Sequence, residues 1–188
     1  MKRIILGVVL ASVAAYMWGF VVWGLGPYHE IIWKRSTDDV AAGAALRNMF
    51  PENGVYYVPG SQHEGETATR LWDAGPVAMV HMIAVDGRAQ MDSTMMVAGA
   101  IFTIGFVMLL ALMLQWVVVA LPGYGSRVAF VTMIGIAAAA LVDLGDIVWW
   151  QFDWKWMFYR AGYHATVCLI AGLVLAGFIR PPRPATVA

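Results

Sequence analysis

The chain has 188 residues, 61% of them hydrophobic and only 13% charged, and its formal net charge is zero. A soluble domain of this size carries about 25% charged residues, whereas here the charge crowds into residues 28–92 and long stretches elsewhere carry none. With no net positive field and no basic stripe, nucleic acid is not a partner. A single cysteine, Cys168, rules out an intrachain disulfide.

The first long apolar run is residues 4–26, preceded by Lys2 and Arg3. About 20 such residues at 1.5 Å rise cross the roughly 30 Å hydrocarbon core of a bilayer. Ser12-Val13-Ala14-Ala15 resembles a signal-peptide cleavage site, but apolar character continues well beyond it, so the segment is expected to stay as a span. Residues 28–92 form a mixed, charged excursion. Ser36 or Thr37 is expected to cap a short helix over 38–50 that Pro51 ends. Residues 54–58 and 77–85 read as strands, and 61–70 (SQHEGETATR) as a polar loop.

The second span is expected at 93–121, the turn Pro122-Gly123-Tyr124-Gly125-Ser126-Arg127 follows, and the third span covers 128–150. Residues 151–161 read as a polar-aromatic connection. The fourth span is expected at 162–180, with 181–188 as a tail after Arg180-Pro181-Pro182-Arg183. The fold class is therefore an all-α integral membrane protein: a four-helix transmembrane bundle, with 1–27 as its first helix and a small extracytoplasmic α+β insert at 28–92. No internal repeat relates the halves, which argues against an inverted-repeat transporter.

Orientation follows from the cations. Lys2, Arg3, Arg127, Arg180 and Arg183 fall on one side with no acid among them, which the positive-inside rule assigns to the cytoplasm. The excursion carries five basic and nine acidic residues, so nothing retains it there. Both termini are expected to be cytoplasmic and the insert periplasmic, in a bacterial inner membrane. Trp149, Trp150, Trp154 and Trp156 gather at the outer end of the third span, and Trp18 and Trp23 near the outer end of the first, where an apolar ring with a polar N–H suits the interface.

Two groups of residues invite a role. Gly7, Ala11, Ala15 and Gly19 recur every four positions, forming a small-residue face for packing within the chain or against a partner helix; Ala165, Cys168, Gly172 and Ala176 make a second row. Asp143, Asp146 and His164 are ionisable groups inside apolar segments, at similar depth toward the outer end. They read structurally as ion-paired with one another, with Lys155 or with Arg160. They also read as a metal site with Cys168 as a further ligand, or as a proton relay or quinone-headgroup site. His29, Glu30, His63, Glu64 and Glu66 are metal-capable too, but lack a ligand spacing, and His81 reads as a packed strand residue.

No phosphate loop, Gly-x-Gly-x-x-Gly, His-Glu-x-x-His, nucleophile elbow or paired Cys-x-x-Cys occurs. No cofactor is implied by motif. The expected role is therefore a non-catalytic accessory or scaffold subunit of a larger membrane complex, whose partners are other membrane subunits and the lipid bilayer. A membrane oxidoreductase built on the Asp/His cluster and a small oligomeric transporter are the alternatives.

The run from Trp18-Gly19-Phe20 through Pro27-Tyr28-His29, followed by Gly54-Val55-Tyr56-Tyr57-Val58-Pro59-Gly60, resembles a type of small bacterial four-helix inner-membrane protein. In such chains a first helix leads into a soluble insert and three more helices follow. The resemblance implies membrane placement and brings no activity and no catalytic residues.

Overall fold

A computed structural model describes residues 2–90 and 92–182. The proposed tail therefore lies mostly outside the described residues, and so does Arg183. The chain is mostly helical and divides into two compact units, residues 1–34 with 93–188, and residues 35–92.

The first unit contains four helices long and apolar enough to cross a bilayer, which suggests a multi-pass membrane protein. Helix α1 runs Lys2–Phe20 and passes into a π-helical turn, Val21–Leu25. A short helix α2, Tyr28–Ile31, follows. The other long helices are α5 (Ser93–Val117), α6 (Tyr124–Trp149) and α7 (Trp154–Phe178). Helix α7 is central: it packs along α6 and along α1, α1 also packs on α5, and α5 and α6 touch little. The buried core runs through all four helices and includes Leu110, Leu114, Val131, Leu175 and Ile179.

Two expected boundaries move. Helix α6 begins at Tyr124 rather than 128, because extended Gly123 accepts the Ser126 hydroxyl at 2.8 Å and lets the helix start at once. The larger change is at α7. Residues 154–161 are helical rather than a connection, because the Asp153 carboxylate accepts from the Lys155 and Trp156 amides at 2.9 and 3.1 Å and caps the helix. The α6–α7 reversal is correspondingly tight, with Gln151 at φ 54° and the Trp150 and Phe152 amides both donating to the Asp146 carbonyl.

The second unit holds helices α3 (Asp39–Met49) and α4 (Gly65–Ala74) and strands β1 (Gly54–Val58) and β2 (Ala78–Met82). The strands pair antiparallel with Tyr56 opposite Val80. The cap of α3 is Asp38, which accepts from the Val40 and Ala41 amides, and not Ser36 or Thr37; the Ser36 hydroxyl donates to Asp39 instead. Residues 65–74 form a helix, so the loop expected at 61–70 is helical from Gly65 onward. Glu66 in its first turn suits the helix dipole, and Gly75 at φ 58° ends it. No described residue of this unit is buried.

Candidate functional site

Helices α6 and α7 run antiparallel in steady register. Arg127 meets Ala176, Val131 meets Gly172 and Gly135 meets Cys168. Glycine sets this closeness: a Cβ on Gly135 would lie 2.6 Å from the Cys168 Cβ and from the His164 carbonyl oxygen. The same register carries Asp143 and Asp146 of α6 to Arg160 and His164 of α7. Each pair is spaced to share a helix face, three apart on α6 and four apart on α7.

Asp143 is the centre of the group and is 0% exposed. Its Oδ2 lies 2.5 Å from His164 Nδ1, and its Oδ1 lies 3.2 Å from Arg160 Nε. The second approach is an ion pair without hydrogen-bond alignment. Arg160 also reaches Asp146, with Nη1 3.8 Å from Oδ2, and the Met157 sulfur at 3.7 Å. The Arg160 and His164 side chains are 28% and 35% exposed, so both connect the buried carboxylate to the surroundings. With His164 protonated, two acids meet two bases and the group is neutral. That offsets the cost of placing carboxylates near the C-terminus of α6, where the helix dipole disfavours them.

The sequence-predicted residues Asp143, Asp146 and His164 are thus gathered, but around Arg160. The guanidinium stands between the two carboxylates, where a bound cation would have to sit. Among the described residues no group of three or more His, Cys, Asp or Glu side chains is arranged to hold a metal ion. Cys168 follows His164 by one turn but is buried against Gly135, and the imidazole's hydrogen bond goes to Asp143. The arrangement can hold and exchange a proton between an imidazole and a carboxylate. Its contacts include no nucleophile–base pair.

The small-residue face of α1 is turned onto α7. A Cβ on Gly7 would meet the Phe178 ring at 2.9 Å, one on Gly19 would meet the Tyr163 hydroxyl at 3.2 Å, and Ala11 and Ala15 are buried between them. The row is a packing seam inside the chain, so its surface is not open to a partner. The second row has the same use: a Cβ on Gly172 would approach the Val128 carbonyl of α6 at 3.2 Å.

Sequence reasoning missed an aromatic cluster that ties the end of α1 to α7. Trp23, in the π-helical turn, meets Tyr28, Trp156, Tyr159 and Tyr163 edge-on, with centroids 5.1 to 5.7 Å away. The Tyr159 hydroxyl donates to the Val22 carbonyl at 2.8 Å. Trp23 and Trp156 are therefore packed together, whereas Trp149, Trp150 and Trp154 remain exposed as an interfacial belt requires. The available signal was Trp23 of the π-helical turn with Trp156, Tyr159 and Tyr163 of α7, whose spacing on α7 follows one helical face once the helix is started at 154.

No protein family, no curated protein and no solved structure matches the chain.

Proposed function

We propose that the protein is a multi-pass inner-membrane protein of bacterial type that serves as a non-catalytic accessory or scaffold subunit of a larger membrane assembly. Its four long helices cross the bilayer, both termini face the cytoplasm, and residues 28–92 face the periplasm. The basic residues support the orientation: Arg3, Arg127 and Arg180 all bond to the last carbonyls of α7, so they share one end of the helical unit.

The observation that carries the subunit reading is the coreless second unit. Its 35–92 segment buries no described residue, yet it exposes Val40, Leu46, Met49, Val55, Trp72, Val77 and Ile83, Val40 to 85%. A unit of this size with a two-stranded sheet cannot stabilise itself by burial. Large apolar side chains exposed in this number on a unit without a core are the raw material of an interaction surface, and a protein partner would supply the missing core. The paired Asp143–Arg160–His164 group supports the non-catalytic part, since its charges answer one another.

Purification from native membranes in mild detergent tests this reading. A fixed set of partners at constant stoichiometry is the expected result. Recovery of a solitary monomer from membranes where the protein is abundant contradicts it.

A further inference from the structure

The end of the helical unit where α1 begins and α7 stops concentrates positive charge. Arg3 Nη2 donates to the Gly177 carbonyl at 2.7 Å, and Arg180 Nε donates to the same oxygen at 2.8 Å. Arg127 donates from Nε to Ala176 at 3.2 Å and from Nη1 to Leu121 and Pro122 at 3.0 and 2.7 Å. Three guanidinium groups from three parts of the chain therefore converge on the last turn of α7. The helix terminus answers them with about half a negative charge. The acids of this unit, Glu30, Asp143, Asp146 and Asp153, all lie in the opposite half of it.

Arg127 is only 4% exposed and its carbonyl partners hold it in place. Arg3 and Arg180 are exposed. Because they share one acceptor, their guanidinium groups stand within bridging distance of a single phosphate, the anion whose oxygens a guanidinium fork matches best. Two cations drawn to one carbonyl repel each other, and an anion between them removes that repulsion.

An apolar groove of about 360 Å³ runs along α6 and α7 from this same end. Tyr124, Val128, Thr132, Met133, Leu169 and Leu173 line it. The Tyr124 hydroxyl donates to the Leu173 carbonyl at 2.7 Å, one turn from where Arg127 meets Ala176. The Thr132 hydroxyl is turned back onto the Val128 carbonyl, so the groove offers mainly carbon. Helix α7 ends at Phe178, and Arg180 follows the extended Ile179, so the groove-lining Leu173 lies within the last two turns before the arginines.

We propose that this end of the protein binds an anionic phospholipid, with the phosphate on Arg3 and Arg180 and an acyl chain in the groove. The inference rests on the reading that the long helices cross a bilayer. Free phosphate would use the arginines alone; the adjoining apolar groove assigns the site to a lipid.

Native mass spectrometry of the full-length protein tests it, with phosphatidylglycerol and phosphatidylcholine offered at equal concentration. Preferential retention of phosphatidylglycerol, about tenfold, is expected. The double variant Arg3→Gln/Arg180→Gln should lose that preference while still retaining phosphatidylcholine. Arg3→Lys/Arg180→Lys, which restores the charge, should recover most of it, separating loss of charge from loss of folding. Met133→Trp, which fills the groove, should lower retention. Equal retention of the two lipids by the wild type overturns the proposal, as does an undiminished preference in the glutamine variant. Displacement of phosphatidylglycerol by a large excess of inorganic phosphate reassigns the site to the free anion and overturns the lipid. Retention of neither lipid overturns the site alone; the bilayer reading fails separately, if the protein is recovered from the aqueous rather than the membrane fraction.

Discussion

His164 Nδ1 lies 2.5 Å from Asp143 Oδ2, joining the middle of α7 to the one acid of α6 that is fully enclosed. The contact fixes the rotation of both helices, because an enclosed carboxylate tolerates few arrangements that keep its partners. Asp143→Ala would leave Arg160 and His164 facing an apolar gap. Removing one side of a buried ion pair costs about 3 to 5 kcal/mol. The lower end applies here, since Arg160 keeps Asp146 and both side chains reach the surroundings. The measurement is thermal unfolding in detergent, in which Asp146→Ala, whose nearest contact to Arg160 is 3.8 Å, should shift the midpoint much less.

Gly135 tests the register of the same pair of helices. A Cβ there would press on Cys168 and on the His164 carbonyl oxygen, and the backbone oxygen cannot move without disturbing α7. Gly135→Val should therefore destabilise by about 1 to 3 kcal/mol or more, as overpacking of a tight contact does. Gly145→Ala, in open space on the same helix, is the control and should not lower the unfolding midpoint, since alanine favours the helix.

The π-helical turn at the end of α1 depends on Gly26. A Cβ at that position would sit 2.1 Å from the Val22 carbonyl oxygen and 2.4 Å from the Tyr159 hydroxyl. Gly26→Ala should break the Tyr159–Val22 hydrogen bond and loosen the aromatic cluster around Trp23. The milder Tyr159→Phe removes the bond alone and should cost about 1 kcal/mol. Trp fluorescence reads both variants, with a larger change for Gly26→Ala.

Residues 35–92 make a prediction about independence. With no described residue buried, the segment expressed alone should show rapid amide exchange throughout and no cooperative thermal transition. Slow exchange in β1 and β2 of the isolated segment would show that it holds itself together.

The four long helices were legible because apolar runs of this length admit few readings, and β1 was legible in Gly54–Val58, bounded by Asn53 and Pro59. The start of α7 was not. Its first turns carry Lys155, Arg160 and four aromatics, which look like a connection when only hydropathy is weighed, whereas the Asp153 cap signals a helix. The α4 helix failed for a similar reason: Gly65 and a polar first half outweighed Leu71, Trp72 and the terminating Gly75. At the site, spacing placed Asp143, Asp146 and His164 at one depth. It left open whether Arg160 or Lys155 would join them, because that choice depends on where the helix begins. The fate of the Gly7–Gly19 row was equally hidden, since a small-residue face looks the same whether its own chain or another covers it.

The most direct test of the central claim is photo-crosslinking in native membranes from Val40, Met49 and Ile83, three exposed apolar positions of the coreless unit. Each position is expected to capture the same partner polypeptide, in a ratio that stays constant between preparations. Adducts to lipid alone, or no adducts at any of the three positions, would contradict a subunit role.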